Sequence, residues 1–377
     1  MTRLVLLLLA ASALARGPVQ GYWKLYCTAA DWPASPGPME GAASGLLRLE
    51  RKLSLGPARA ELAWELRPAF GGEGPDVTGG STLPSPYRID DLGGRIYPRP
   101  GDSAGSFRLR HGPDRASLSL ALGGADLIVG RQAVHWGSGR LLRPTDFPAP
   151  LGVSALESED RAGVDALRLR LALGMMSELD AGVLAGPDAD PDSSAAWLRY
   201  RTYLARTDAA VLAAAYRGNT MAGLDLTRPV GGAGTWLEAS YSRLGALADG
   251  PAEDLWRLTA GADYSPTGDV YCVLEYGFSS QGLQPSSPPG VAESGVYLPG
   301  RHYAGAELRW QASALLTASA AGLFRLDESG CWLSPALEYS LAQNVWLQGG
   351  CQLGFGDDPA GFRAWPDLAW TSFAAYF

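Results

Sequence analysis

Apolar and polar residues alternate with a period of two along most of the chain. In segment 45–55, Leu47 and Leu49 alternate with Arg48 and Glu50, and the pattern returns almost without a break from residue 164 to the end. A period of two predicts β-strands with one apolar and one polar face, whereas a helix would repeat every 3.6 residues. The chain is therefore predicted to be all-β, with about 18 strands of roughly ten residues each and with 16 strands as the alternative.

The two faces of these strands favour a transmembrane barrel over a soluble sandwich. The polar face is dense in Arg and Glu, and the apolar face carries almost no charge. A water-filled lumen tolerates a charged face, and the hydrocarbon of a membrane requires an uncharged one. No domain boundary is visible within 164–377. We predict a transmembrane antiparallel up-and-down β-barrel over residues 44–377.

The connections between predicted strands fall into two classes by length. Counting back from the C-terminus, the longer links alternate with short turns, as bacterial barrels require. The longer links are 134–163, 186–194, 244–252, 279–300 and 356–360. Segment 68–104 is the exception, because strands predicted at 105–111 and 115–122, with a turn at 112–114, place it at the short-turn end. It is either a genuine segment at that end or contains a missed hairpin near 87–97.

The N-terminus predicts a secreted chain. A polar start, the apolar run 4–11 and the small-residue site Ala13-Leu14-Ala15 form a cleavable signal peptide over residues 1–15. Residues 16–43 are rich in Pro, Gly and Trp without a period, and we predict an irregular periplasmic lead-in there. No later apolar run approaches 20 residues, so no membrane helix is predicted.

The C-terminal segment 361–377 carries five aromatic residues and ends on Phe377. This ending resembles that of bacterial outer-membrane β-barrels, and the resemblance implies recognition of Phe377 by the barrel-assembly machinery. Either alternate set could face lipid: Trp370 with Tyr376, or Phe373 with Phe377. The expected surroundings are outer-membrane lipid of a Gram-negative bacterium.

The most distinctive sequence lies between residues 126 and 167. It contains Gly130-Arg131-Gln132, Trp136-Gly137, Pro144-Thr145-Asp146 and Gly163-Val164-Asp165-Ala166-Leu167, in that order. Their order resembles a large family of porin-like outer-membrane barrels, over roughly residues 85–170. The resemblance implies an outer-membrane barrel and supplies no substrate.

The charged residues of this stretch suggest an ion-paired loop folded into the lumen. Candidates for a constriction are Arg131, His135, Trp136, Arg143 and Asp146, and further ion-pair candidates are Arg140, Glu157, Glu159, Asp160 and Asp165. The alternative is that the motif locks a long loop onto the rim of the barrel.

Inward charges of both signs line the predicted lumen. The selected pore-lining residues are Glu61, Glu65, Arg108, Arg110, Arg168, Arg170, Arg199, Arg201, Glu275, Glu307 and Arg309. The basic residues concentrate on the strands at 105–111, 164–172 and 195–206. They could form a wall that favours anionic solutes, or pair with the acids and fill the lumen.

Composition excludes several other functions. The formal charge of −8 argues against a nucleic-acid partner, and no CxxCH or paired CxxC motif indicates haem or zinc. Cys331 and Cys351 could form a cross-strand disulfide, or all four cysteines could remain unpaired. The three histidines are too few for a metal cluster, and only His135 and Ser138 form a near Ser–His pair. We expect no cofactor and no enzymatic activity.

These observations lead to one main expectation for function and two alternatives. A barrel of 16–18 strands leaves an aqueous lumen, so we expect passive passage of small polar or anionic solutes. The first alternative is a sleeve for a periplasmic or cytochrome partner in an electron conduit. The second is an assembly or surface-interaction protein, and a homotrimer is one expected oligomer.

Overall fold

A computed structural model describes residues 19–31, 39–71, 87–90, 94–98, 106–150, 152–156, 159–246, 252–282, 298–357 and 361–377. Nearly all of the regular structure is antiparallel β-sheet. The strands are Gln20–Asp31 (β1), Glu40–Leu55 (β2), Ala58–Gly71 (β3), Gly94–Tyr97 (β4), Phe107–Ala121 (β5), Ala125–Gln132 (β6), Val164–Ala172 (β7), Ser177–Leu184 (β8), Ala195–Leu204 (β9), Thr207–Tyr216 (β10), Asn219–Val230 (β11), Ala233–Leu244 (β12), Glu253–Thr267 (β13), Val270–Ser279 (β14), His302–Gln311 (β15), Leu316–Arg325 (β16), Gly330–Ala342 (β17), Val345–Gly356 (β18) and Asp367–Tyr376 (β19).

The strands close into one barrel. Each wall strand pairs with the next, and β1 pairs with both β2 and β19. The short strand β4 pairs only with β5 and stands outside the ring, so the wall has 18 strands. The prediction of a closed antiparallel barrel with 18 strands is confirmed, and the alternative of 16 is wrong.

The described residues within the predicted irregular lead-in, 16–43, are mostly β-strand. Gln20–Asp31 is a full wall strand, in which Tyr22 lies opposite Tyr376 on one side and opposite Arg48 on the other. Strand β2 also begins at Glu40, before the predicted barrel boundary at residue 44. The prediction is wrong for these residues because closure by the last strand supplies pairing that β1 needs, and sequence period does not report it.

Strand β5 is one continuous strand of 15 residues and not two strands with a turn at 112–114. The register shifts opposite Ala63 and Trp64, so that Asp114 has no partner residue on β3. Such a bulge accommodates Pro113, which cannot donate to a regular ladder. The segment between β3 and β5 therefore lies at the same end as the long connections, and its predicted placement at the short-turn end is wrong.

The barrel has two distinct ends. The end where β1 begins and β19 finishes has short turns, and we name it the terminal end. The other end, the loop end, carries the long connections and three single-turn 3-10 helices, Pro187–Ala189, Pro191–Ser193 and Phe362–Ala364. Within the described residues, no helix combines the length and apolarity needed to cross a membrane.

The outer face of the wall is apolar and exposed. Leu274 is 68% exposed and Trp256 is 56% exposed. On β19, Phe373 and Phe377 belong to this face, since Phe373 packs on the outward Trp23. Tyr376 instead donates its hydroxyl to Glu159 inside the barrel, so the choice that the sequence left open is settled.

The four cysteines are unpaired. The register of β17 and β18 explains the missing bridge, because Cys331 lies opposite Phe355 and not opposite Cys351. Four residues of strand separate Phe355 from Cys351, a distance of about 13 Å, which no disulfide spans.

Candidate functional site

The connection between β6 and β7 folds into the barrel. We name residues 133–163 the inner loop; residues 151, 157 and 158, and with them the candidate Glu157, lie outside the described residues. Glu238, near the middle of β12, accepts hydrogen bonds from the backbone N–H of Gly139 at 3.1 Å and of Thr145 at 2.7 Å. The Thr145 hydroxyl donates to the same carboxylate at 2.7 Å. The inner loop therefore reaches the mid-height of the wall and does not rest on the rim.

A second carboxylate holds the adjacent turn of the inner loop. Glu275 on β14 accepts from the backbone N–H groups of Arg140 at 2.7 Å, Leu141 at 3.2 Å and Leu142 at 2.8 Å. Trp236 donates its indole N–H to the same carboxylate at 3.0 Å. These hydrogen bonds stabilise the carboxylate of Glu275, whose burial without partners would be unfavourable.

Glycines on the inner face of the wall make room for the inner loop. A Cβ atom on Gly277 would lie 2.3 Å from Leu142, and one on Gly305 would lie 2.4 Å from Leu141. A Cβ atom on Gly223 would lie 2.8 Å from Thr145. Three different strands thus present shallow sockets to consecutive parts of the same loop.

The second half of the inner loop crosses to the seam between β1 and β19. Asp160 accepts from the Tyr22 hydroxyl at 2.8 Å and lies 3.6 Å from the Arg48 guanidinium. Glu159 pairs with Lys24, which is only 5% exposed, at 2.5 Å. The charge-assisted bond between Lys24 and Glu159 is thus a contact between the inner loop and the strands that close the barrel. The same loop also contacts β11–β14.

Arg48 is the centre of a buried charge network beneath this contact. Its guanidinium binds Glu65 of β3 at 3.0 Å and Asp114 of β5 at 2.5 Å, and it is 2% exposed. Asp114 also accepts the backbone N–H of Gly163, at the end of the inner loop, at 2.9 Å. The unpaired bulge residue Asp114 thereby joins the wall to the loop.

An apolar cluster fills the space between the first half of the inner loop and strands β7–β11. Trp136 packs on Phe147 at 5.6 Å and on Trp197 at 5.5 Å between ring centroids. Tyr87 also belongs to this cluster and is fully buried. Trp136, a predicted constriction residue, is therefore part of a core and does not line open water.

Arg131 also has a structural position. Its guanidinium binds Asp165 at 2.8 Å and donates to the backbone carbonyls of Pro113 at 3.1 Å and Asp90 at 2.8 Å. Asp165 in turn accepts the backbone N–H of Ile89 at 2.9 Å. The two sequence motifs that contain Arg131 and Asp165 thus connect β6 and β7 to β5 and to the segment at residues 89–90.

The remaining constriction candidates lie together in the inner loop. Burial, opposed by Arg161 at 3.5 Å, raises the pKa of Asp146 to about 7. Desolvation and the nearby guanidinium groups of Arg161 and Arg143 lower the pKa of His135 to about 4. His135 is therefore neutral at pH 7. Ser138, the other member of the near Ser–His pair in the sequence, donates its hydroxyl to Asp225.

Five of the eleven predicted pore-lining residues form salt bridges with other described residues. Arg168 binds Asp180 at 2.6 Å, and Arg170 binds Glu178 at 2.6 Å. Other predicted residues with ionic neighbours are Glu65 with Arg48 and Arg67, Glu61 with Lys52 at 3.8 Å, and Arg199 with Asp225 at 3.9 Å. Arg110 lies opposite Arg67 and Arg95, and Arg108 lies opposite Ala69.

Three of the predicted lining residues have no ionic partner among the described residues. Arg201 and Arg309 are exposed, and neither forms a salt bridge with any described residue. Glu307 lies two residues from Arg309 on β15 and likewise has no ionic partner within the described ranges. These three side chains face the lumen without an ionic partner among the described residues.

Several residues of the site were not predicted as such. Lys24 lies in the segment interpreted as irregular, and Asp114 lies in the supposed turn. The sockets at Gly223, Gly277 and Gly305 carried a usable signal, since each occupies an inward position on a strand whose other inward residues are larger or charged.

Comparison with known proteins identifies the fold of the chain and nothing finer. No protein-family model matches the chain, and no curated protein matches its sequence. Among solved structures, the outer membrane protein OpdK from Pseudomonas aeruginosa aligns with a TM-score of 0.59 and 11% identity, covering 96% of this chain and 99% of that chain. A second structure of OpdK contains vanillate.

Two further structures are similar to the same degree. OccK9 (OpdG) from Pseudomonas aeruginosa aligns with a TM-score of 0.56 and 14% identity, covering 95% of this chain and 97% of that chain. OccAB3 from Acinetobacter baumannii aligns with a TM-score of 0.56 and 10% identity, covering 95% of this chain and 99% of that chain. At these identities the similarity shows a shared barrel fold.

Proposed function

We propose that this chain is an outer-membrane channel for the passive passage of small polar solutes, with a preference for anions. The observation that carries the proposal is an 18-stranded barrel whose lumen is narrowed at mid-height by a loop bound to Glu238 and Glu275. A barrel of this size encloses water when nothing plugs it, and an inward loop sets the size of the solutes that pass.

The preference for anions rests on which charges lack partners. The carboxylates Glu238 and Glu275 are occupied by the inner loop, and Glu65 and Asp180 are occupied by arginines. Arg201 and Arg309 have no such partner among the described residues. Arg201 and Arg309 therefore place accessible positive charge in the water-filled part of the lumen, which favours anionic solutes.

Planar-bilayer recording of the purified mature protein tests the proposal. We expect steady single-channel currents and, in a KCl gradient, a reversal potential that indicates more chloride than potassium passing. The double variant Arg201→Glu, Arg309→Glu should move the reversal potential toward potassium. The matched control Arg228→Glu changes an exposed arginine at the terminal end of β11 and should leave selectivity as it was.

Two results would contradict this function. A protein that inserts but carries no current would indicate a closed barrel, and a potassium-selective wild-type pore would reject the preference for anions. Vanillate, the ligand in one OpdK structure, is a useful organic anion for a parallel liposome-swelling assay.

The alternative of a sleeve around a partner protein is less compatible with this geometry. The inner loop occupies the middle of the lumen and contacts β11–β14, β18 and the β1–β19 seam. A partner inside the barrel would have to displace those contacts. Recognition of Phe377 during assembly and a homotrimeric state remain predictions, and a pull-down from native membranes would test both.

A further inference from the structure

A cavity of about 50 Å³ lies between the inner loop and the wall, toward the loop end. The inner loop contributes Leu142, Arg143 and Pro144 to it, and strand β13 contributes Arg257 and Thr259. Tyr303 of β15 closes another side. The cavity is separate from the exposed arginines to which the proposed selectivity is assigned.

The lining of this cavity is positively charged. Arg143 and Arg257 both face it, and none of the described residues that line it is acidic. Arg143 directs one guanidinium N–H to the backbone carbonyl of Arg140 at 3.3 Å, and it forms no salt bridge with a described residue. Arg257 donates to the backbone carbonyl of Pro144, which holds its guanidinium against the inner loop.

A buried hydroxyl adds a second, independent sign of a ligand. Thr259 is 1% exposed, and its hydroxyl oxygen has no hydrogen-bond partner within the described structure. A buried polar group without a partner is unfavourable, so such groups normally have a protein, water or ligand partner. The Thr259 side chain lines the same cavity as the two arginines.

We propose that this cavity binds a small tetrahedral oxyanion, phosphate or sulfate, between Arg143 of the inner loop and Arg257 of the wall. Guanidinium groups bind such anions through several N–H donors at once, and a tetrahedral anion has enough acceptor oxygens for two arginines and one hydroxyl. The bound anion joins the loop to β13 and stabilises the loop in its inward position. This inference concerns a fixed binding site and does not depend on the solute that the channel passes.

Calorimetric titration of the purified mature protein in detergent with inorganic phosphate, and separately with sulfate, tests the site. We expect saturable binding at one site per chain and a higher thermal unfolding midpoint with either anion. Thr259→Val keeps the side-chain shape and should weaken binding about tenfold, because one hydrogen bond to a charged ligand is lost. Arg143→Gln should weaken binding by at least that much.

Arg228→Gln is the matched control, because it removes an arginine at the other end of the barrel and should leave the affinity for phosphate unchanged. Binding that is absent at millimolar concentrations, or that persists equally in Thr259→Val and Arg143→Gln, would overturn the inference. Heat-modifiable migration on gels verifies that each variant is folded. A wild-type protein that conducts anions without binding phosphate would reject this site and leave the proposed channel intact.

Discussion

At the scale of single residues, two acids of the lumen bind backbone N–H groups of the inner loop and no cation among the described residues. Glu275 accepts from three consecutive residues of the inner loop, and Glu238 accepts from two further positions. A carboxylate can satisfy several donors of a turn that has no ladder partner of its own. Such acids decide the position of the loop without facing the solute.

Replacing Glu275 by alanine should release the adjacent turn of the inner loop. We expect a larger single-channel conductance, faster proteolysis of the loop and a loss in stability on the order of 3 kcal/mol, since buried N–H donors lose their acceptor. Glu338→Ala is the matched control, because Glu338 is an inward glutamate of β17 that accepts a hydrogen bond from Gln348 of β18 and not from the inner loop. Equal conductance in both variants would argue that Glu275 does not anchor the loop.

Asp146 provides a second test at this scale, through pH. The pKa of an aspartate carboxyl is ordinarily 3.8, and the pKa of Asp146 in the folded chain is about 7. Between these two pKa values the folded chain retains a proton that the unfolded chain releases. The contribution of Asp146 to the free energy of unfolding is therefore complete below pH 4 and is lost as the pH rises through 7. We therefore expect the free energy of unfolding to fall across that window by an amount on the order of 2–4 kcal/mol.

Asp146→Asn should remove this dependence. Urea unfolding in micelles at pH 5 and at pH 7.5 measures it, as the difference between the wild-type and variant slopes. Asp126→Asn, an exposed position at the start of β6, should keep the wild-type slope. Identical slopes in the wild type and in Asp146→Asn would show that this carboxyl does not titrate between folded and unfolded states.

At the scale of elements, the wall and the inner loop are complementary in shape. Strands β11, β14 and β15 each place a glycine where a loop side chain approaches, and their outward faces carry the exposed Leu224, Leu274 and Leu308. Alternation predicts the outward face well because lipid acts on every second residue. An inward glycine indicates where a socket could lie, but alternation does not identify the residue that fills it, because that residue can be more than 130 positions away, as Leu142 is from Gly277.

Filling one socket should displace the loop. Gly277→Phe places a ring where Leu142 lies, so we expect altered conductance and a loop that proteases cleave more readily. Gly349→Phe is the matched control, since Gly349 occupies the outward face of β18 and an aromatic ring there contacts lipid. If Gly277→Phe leaves both current and proteolysis unchanged, then Leu142 does not need the socket.

At the scale of the whole molecule, the sequence predicted the barrel and its 18 strands, with two local errors that compensated each other. The pattern missed β1 and divided β5 at Pro113, so the number of strands agreed while the positions did not. Both errors have a physical cause. Strand β1 has inward Tyr22, Lys24 and Tyr26, whose mixed polarity hides the period, and the bulge at Asp114 resembles a turn in sequence.

Removing residues 20–31 tests the role of β1 directly. Strands β2 and β19 would each lose their pairing with β1, which leaves two open edges that hydrocarbon does not tolerate. We expect no heat-modifiable, protease-resistant barrel on refolding into micelles. A chain that begins at residue 16 should refold. Refolding of both chains would indicate that β1 is dispensable, as a lead-in segment would be.

The seam between β1 and β19 also constrains when the molecule can be completed. One edge of β1 finds its partner only in residues 367–376, more than 330 positions later. Until those residues arrive, the N-terminal strand has a free edge that could pair with any other chain. Closure of the barrel therefore requires the final residues of the sequence, and a chain that stops before residue 367 leaves β1 and β18 each with an open edge.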